Sequence, residues 1–214
     1  MIKNIFFDFD GVIVDSVNIK TEAFKQIYCI YGKEVANKVV KHHINNGGMS
    51  RYEKFKFYHS MYLGKILSQE DLNKLVKQFS KIVVNAVIKA PEVKGANDFL
   101  KKYYKTYNMF VISATPYNEI NYICKKRSLS AYFKEVCGSP NSKTYWSNYL
   151  LKKYNFKKEE TIFVGDALAD YKAAQNTGIQ FYLKKDKYNV ELFENIPSIK
   201  YFVNFTEFER LLRI

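Results

Sequence analysis

Near its start the chain runs a short β-prone apolar segment, Ile2, Ile5, Phe6 and Phe7, straight into two carboxylates and a glycine, Asp8, Asp10 and Gly11. Such a run is too brief to cross a membrane, and its lack of alternation suits a strand buried on both faces. Two positions apart on an extended backbone, Asp8 and Asp10 point the same way and share one small volume at the strand's end. Carboxylates that close repel, so the pair requires a bound cation, a shared proton or both. Gly11 suits a chain that turns sharply and brings its backbone close to a ligand.

After Asp15 and Ser16 the pattern turns helical. Ile19, Ala23, Ile27 and Ile30 recur at three- and four-residue steps behind Ser16 as a cap, and Val35, Val39 and Val40 suggest a second helix ending at His42 and His43. Ser50 caps a third helix that stops at Gly64, and the Ser68 to Asp71 capping box opens a fourth carrying Leu72, Leu75, Phe79 and Val83. Residues 16–88 therefore read as an all-helical unit. Beyond Pro91 strands and helices alternate: Met109 to Ile112 ending at Ser113, a short strand near Val136 and Cys137, Thr161 to Val164 ending at Gly165 and Asp166, Ile179 to Leu183, and Tyr201 to Val203. That alternation predicts an α/β fold, a Rossmann-like parallel sheet core built from 1–15 and 89–214 and interrupted by a helical cap at 16–88.

Composition narrows the class of protein. A hydrophobic share of 47% over 214 residues supports a large buried core, and a net charge of +13 would draw phosphate groups, nucleic acid or anionic lipid. The lysines are spread along the chain, however, and short clusters such as Lys101-Lys102 and Lys125-Lys126-Arg127 read as solvated helix faces. Cys29, Cys124 and Cys137 form no C-x-x-C pair, which suits reduced thiols. With no basic leader ahead of the first strand and no apolar run of membrane length, a cytoplasmic protein without a membrane partner is expected.

In an open parallel sheet, ligands lie beyond the carboxyl ends of the strands. Asp8 and Asp10, Ser113, and Asp166 with Asp170 all fall at such ends, and Lys143 begins the helix after another strand. The order D-F-D-G-V-I-V-D-S, Ser113 after an apolar strand, Lys143 after Ser139-Pro140, and G-D-A-L-A-D resembles the four motifs of the haloacid dehalogenase superfamily. The helical insertion resembles that superfamily's C1-type cap, and the whole chain is similar to its phosphoglycolate-phosphatase and β-phosphoglucomutase-like members.

The resemblance implies a phosphomonoesterase. Asp8 would attack phosphorus and carry an aspartyl-phosphate, and Asp10 would serve as general acid and base, a role that asks for a raised pKa. Mg²⁺ would be held by Asp8, the backbone carbonyl of Asp10 and Asp166, with Asp170 supporting them from behind. Ser113 would donate to a phosphoryl oxygen and Lys143 would supply positive charge. Thr115 is a rival for the serine's role, and Ala114 and Thr115 are expected beside the substrate. Asp10 favours phosphate esters over a halide leaving group, which needs no acid.

Substrate choice falls to the cap. Gly48, Ser50 and Arg51 match the G-x-S-R loop of the β-phosphoglucomutase-like members, where arginine grips anionic oxygens in pairs, although Ser50 also serves as a plain helix cap. Lys20 stands where the mutase hinge carries histidine, which favours hydrolysis. His42 and His43, with no third ligand near, read as a solvated helix end. The expected ligand is a small phosphorylated metabolite, a sugar phosphate among the candidates, with no nucleic acid. A phosphosugar mutase, and a basic nucleic-acid-binding protein on an inactive scaffold, stay open as alternatives.

Overall fold

The computed structural model describes residues 1–212. After β1 (Asn4–Phe7) come four helices, α1 (Val17–Tyr28), α2 (Lys33–Asn45), α3 (Arg51–Leu63) and α4 (Gln69–Lys89). The rest alternates: α5 (Ala96–Tyr103), β2 (Asn108–Pro116), α6 (Tyr117–Lys126), β3 (Glu135–Ser139), α7 (Lys143–Lys153), β4 (Thr161–Gly165), α8 (Leu168–Thr177), β5 (Gln180–Lys184), α9 (Val190–Phe193), β6 (Lys200–Phe202) and α10 (Phe205–Leu212). The six strands form one parallel sheet in the order β3-β2-β1-β4-β5-β6.

Both faces of that sheet are covered, which is why its strands read as unbroken apolar runs. Phe6 joins Phe110, Ile112 and Phe163 in one layer, while Ile5 and Phe7 join Met109, Val111, Ile162 and Val164 in the other. The alternation follows from the two-residue period of a strand. The register sets Phe6 beside Phe110 and Phe163, and the Phe6 and Phe110 rings meet edge to face at 5.5 Å. Between β1 and β4 the winding of the sheet reverses, so the ends of these two strands form the crevice where α/β folds bind ligands.

The inserted helices have their own apolar centre. Phe24 of α1 packs against Phe55 and Tyr58 of α3 and Phe79 of α4, and each buried ring contributes roughly 1.5–3 kcal/mol. Ser50 and Ser68 cap α3 and α4 as their spacing predicts, and Gly64 ends α3 in the left-handed conformation. Two short linkers join the insertion to the sheet, and they are bonded to each other. The Asp15 amide donates to Pro91 O at 3.0 Å, and the Val93 amide donates to Ile13 O at 3.0 Å. Arg127 adds a pin across this junction, donating to the terminal carbonyls of α4 and the linker, Val87, Ile88 and Ala90, at 2.7–2.9 Å. Helix ends leave such carbonyls without partners, so the arginine belongs to the junction and not to a solvated face.

Several elements differ from expectation. Strand β2 runs on past Ser113 to Pro116, because β3 pairs with it as far as Ser139 through a register shift. Ser16 precedes α1 but its hydroxyl makes no cap bond, having turned to Asp10 instead. His43 is not solvated: it lies inside α2 and is buried. The short α9 gives no periodic signal in so few residues. No described helix is long and apolar enough to cross a membrane.

Candidate active site

The end of β1 is shaped by backbone before any side chain acts. The Asp8 amide donates to Val164 O on β4 at 2.8 Å, and the chain then doubles back so that the Gly11 amide donates to Val14 O at 2.8 Å. Gly11 has φ +79°, and a Cβ there would lie 2.1 Å from Asp166 Oδ2, so glycine is what lets the Asp166 carboxylate approach the turn.

Three carboxylates converge in that crevice. Oxygens of Asp8, Asp166 and Asp170 lie within 4.8 Å of one another. Lys143, the first residue of α7, places its ammonium 2.8 Å from Asp8 Oδ2 and bonds Asp170 Oδ1 as well. Asp170 accepts at its other oxygen from the Ala167 amide at 3.0 Å, closing the first turn of α8. All four side chains are buried or nearly so. One ammonium among three acids leaves excess negative charge, and proton affinity records it. Burial first, then the neighbouring carboxylates, push the Asp8 carboxyl up to about 7 against the pull of Lys143, and the same causes push Asp166 well above the usual carboxylate range. Burial works against the Lys143 charge, but Asp170 and Asp8 outweigh it and hold that ammonium above its ordinary range. A buried set of oxygen donors that holds protons this tightly for want of positive charge fits a hard divalent cation.

Asp10 departs from expectation. Its carboxylate accepts from Ser16 Oγ at 2.6 Å, from Thr115 Oγ1 at 3.2 Å and from the Lys20 ammonium, which also donates to Thr115 at 2.8 Å. Burial alone would raise its pKa, yet Lys20 and the two hydroxyls more than offset this and bring it below the ordinary value. The expected raise from neighbouring carboxylates fails because a cation from α1 sits closer than they do. The Asp10 side chain is also absent from the three-carboxylate group, whose third member is Asp170.

The remaining expected residues divide. Ser113, Ala114, Thr115 and Gly48 line the same cavity as Asp8, Asp10 and Asp166, and Ser113 Oγ accepts from the Thr115 amide at 3.1 Å. Gly48, at φ +77°, lets the loop before α3 approach Ala169, which a Cβ would meet at 2.8 Å. Ser50 lies outside that cavity, on a neighbouring groove, and its hydroxyl is occupied in the capping box of α3. Arg51 lines the cavity but its guanidinium is engaged. It donates to Glu119 of α6 through both terminal nitrogens, one of them at 2.9 Å, and to Ser80 of α4 at 2.7 Å. A buried bidentate pair thus joins the insertion to the sheet domain.

Sequence reasoning missed four participants. Lys20 was noted only as a departure from histidine, Glu119 and Lys54 carried no motif, and Asn189 sits in an unremarkable lysine-rich stretch. Asn189 is buried and donates to Asp166 O at 2.9 Å and to Lys184 O at 2.8 Å, tying the loop after β5 to the acid. The one local signal was the Asp186 to Asn189 spacing, which closes a turn with the Asp186 amide bonded to Asn189 Oδ1 at 2.9 Å.

Comparison with known proteins follows the same lines. A family model described as haloacid dehalogenase-like hydrolase matches residues 5–184. A phosphoglycolate phosphatase of Photorhabdus laumondii is 28% identical over 183 residues, covering 83% of this chain and 77% of that protein. A phosphorylated carbohydrates phosphatase of Thermotoga maritima is 24% identical over 184 residues, covering 82% of each. Among solved structures, the magnesium-bound HAD-hydrolase YfnB of Bacillus subtilis superposes with a TM-score of 0.74 at 17% identity, over 100% of this chain and 99% of that one.

Proposed function

Because the chain belongs to the haloacid dehalogenase-like hydrolases, we propose that it is a Mg²⁺-dependent phosphomonoesterase acting on a small phosphorylated metabolite. The observation that carries this reading is the buried convergence of Asp8, Asp166 and Asp170 around Lys143 at the switch point of the sheet. Names of relatives that act on phosphoglycolate and phosphorylated carbohydrates agree with it.

In this reading residues 1–15 and 89–214 form the catalytic core, and 16–88 form the cap. Asp8, Asp166 and the Asp10 carbonyl would hold Mg²⁺, with Asp170 fixing Lys143 behind them; the ion supplies charge neutralisation on the phosphoryl oxygens. Asp8 Oδ attacks phosphorus, the ester P–O bond breaks as the new one forms, and water later cleaves the aspartyl-phosphate to release inorganic phosphate and restore Asp8. Lys143 offsets charge at the nucleophile, and Ser113 donates to a phosphoryl oxygen. Lys20 and the two hydroxyls hold the Asp10 carboxyl below its ordinary pKa and so favour the ionised form, the one that takes a proton from water. To protonate the leaving alkoxide it must first gain a proton, which requires Lys20 to withdraw or be neutralised by substrate. Arg51 is spent on Glu119, so it serves closure of the cap and not direct contact with the ester.

A screen of phosphorylated metabolites with Mg²⁺, beside a chelator control, tests the reading. Release of phosphate that is indifferent to chelator would overturn it. A second expectation follows from the raised carboxyls. Since folding lifts Asp8 from 3.8 to about 7, this group's contribution to stability is complete below the lower value and is lost as pH rises through the higher one. Mg²⁺ takes the place of the missing protons, so the gain in melting temperature on adding it should be larger at about pH 8 than at about pH 5. An equal gain at both would count against a cation among these acids.

A further inference from the structure

The cations around the cavity are matched to acids with one exception. Lys20 faces Asp10, Arg51 faces Glu119, and Lys143 faces Asp8 and Asp170. Lys54 of α3 faces none among the described residues. It is 2% exposed and lines the same cavity as the acids, on the side formed by the inserted helices. Its ammonium bonds His43 Nδ1 at 2.7 Å and the His43 carbonyl at 3.4 Å, both uncharged acceptors. Burial drives the His43 ring well below its ordinary pKa, so it stays neutral and offers Nδ1 as acceptor. An ammonium has three N–H donors, and this one has two partners, no counter-charge and the Phe24 ring 5.7 Å away. Removing such a charge from water without an anion is costly, and burial accordingly pushes Lys54 down to about 7, with Lys20 adding to the effect.

Resting on the phosphatase reading above, we propose that Lys54, braced by His43, seats a carboxylate at the far end of the phosphate ester, so that the substrate is a small phosphorylated acid. One remaining N–H and one uncompensated charge suit a monoanion. A second phosphate would bring more charge and more oxygens to a region where the other cap cations lining the cavity, Lys20 and Arg51, are already committed to Asp10 and Glu119. The cavity, about 90 Å³, suits a small ester.

The test compares phosphoglycolate, which carries a carboxylate, with 2-hydroxyethyl phosphate, which carries a hydroxyl in its place, and with a small bisphosphate, for the Mg²⁺-loaded protein and its Lys54→Met and Lys54→Gln variants. The unmodified protein should favour phosphoglycolate over hydroxyethyl phosphate at least about tenfold in kcat/KM, the scale of one charged hydrogen bond. In either variant KM for phosphoglycolate should rise about 10- to 100-fold with kcat little changed, while KM for hydroxyethyl phosphate stays put. Equal preference in the unmodified protein, equal effects on both esters, or a Lys54-dependent preference for the bisphosphate would overturn the assignment. Calorimetric binding of phosphoglycolate to Asp8→Asn, with and without Lys54→Met, separates the two readings. Lys54-dependent binding without turnover in the unmodified protein would sink the phosphatase and keep the seat; turnover of both esters without Lys54 dependence would do the reverse.

Discussion

Replacing Asp8 by asparagine is expected to lower kcat toward phosphate esters by at least about 10⁴-fold, the scale on which loss of a covalent nucleophile is felt. The amide keeps the shape of the side chain and an Oδ1 that can still accept from the Phe9 amide, as the carboxylate does at 2.7 Å, while the backbone bond to Val164 O and the turn through Gly11 do not involve the side chain. The fold should therefore survive. Its melting temperature in chelator should lie within a few degrees of the parent, because the variant loses an ion pair with Lys143 but also loses a carboxyl that burial, Asp170 and Asp10 disfavour. Single-turnover measurement of phosphate release, run beside melting curves, decides the matter. Hydrolysis that persists in a folded Asp8→Asn protein would remove the nucleophile from the mechanism.

Lys143→Met should be damaging in two separable ways. Among the described residues the ammonium is the one cation touching the Asp8 and Asp170 carboxylates, and removing one partner of a buried ionic group costs about 3–5 kcal/mol because the others are left uncompensated. Catalysis should fall by roughly 10²–10³-fold, as when a fixed group that stabilises developing charge is removed. Urea unfolding reads the first effect and kcat the second. Adding Asp170→Asn to Lys143→Met should recover part of the stability, since it deletes an orphaned acid, and none of the activity. Recovery of both together would mean that Lys143 acts only as a structural counter-charge.

How much of this was legible in the chain depends on the range of the signal. The first strand and its acids, the capped helices α3 and α4, and the G-D-A-L-A-D turn are written in consecutive residues, so propensity and spacing sufficed to place them. Placing the site needed only the rule that open parallel sheets bind ligands beyond the carboxyl ends of their strands, whereas the strand order itself is set by pairing that no local signal records. What escaped was partnership across distance. Nothing local says that Arg51 will meet Glu119, 68 positions away, or that Lys20 will lean on Asp10 and Thr115. The error about Asp10 came from the same source, for its titration was reasoned from the acids beside it in sequence when a lysine one helix later had the stronger claim. His43 was misjudged because a histidine at a helix end is usually solvated, and here Lys54 of α3 and the Phe24 ring of α1 both pack against it.

The junction between the insertion and the sheet has a mechanical consequence. Its two crossings are stitched to one another by the Asp15 to Pro91 and Val93 to Ile13 bonds, with Arg127 clasping the end of α4 from the far side. Paired threads of this kind cannot slide independently, so if α1 to α4 act as the proposed cap, their opening would be a swing about this junction. Lys20 stands in the first turn of α1 and Asp10 in the turn after β1, ten positions apart and joined by an ion pair. Opening of such a cap would loosen that grip, and the readiness of Asp10 to hold a proton would then follow the angle of the cap, since Lys20 is the chief group that lowers it.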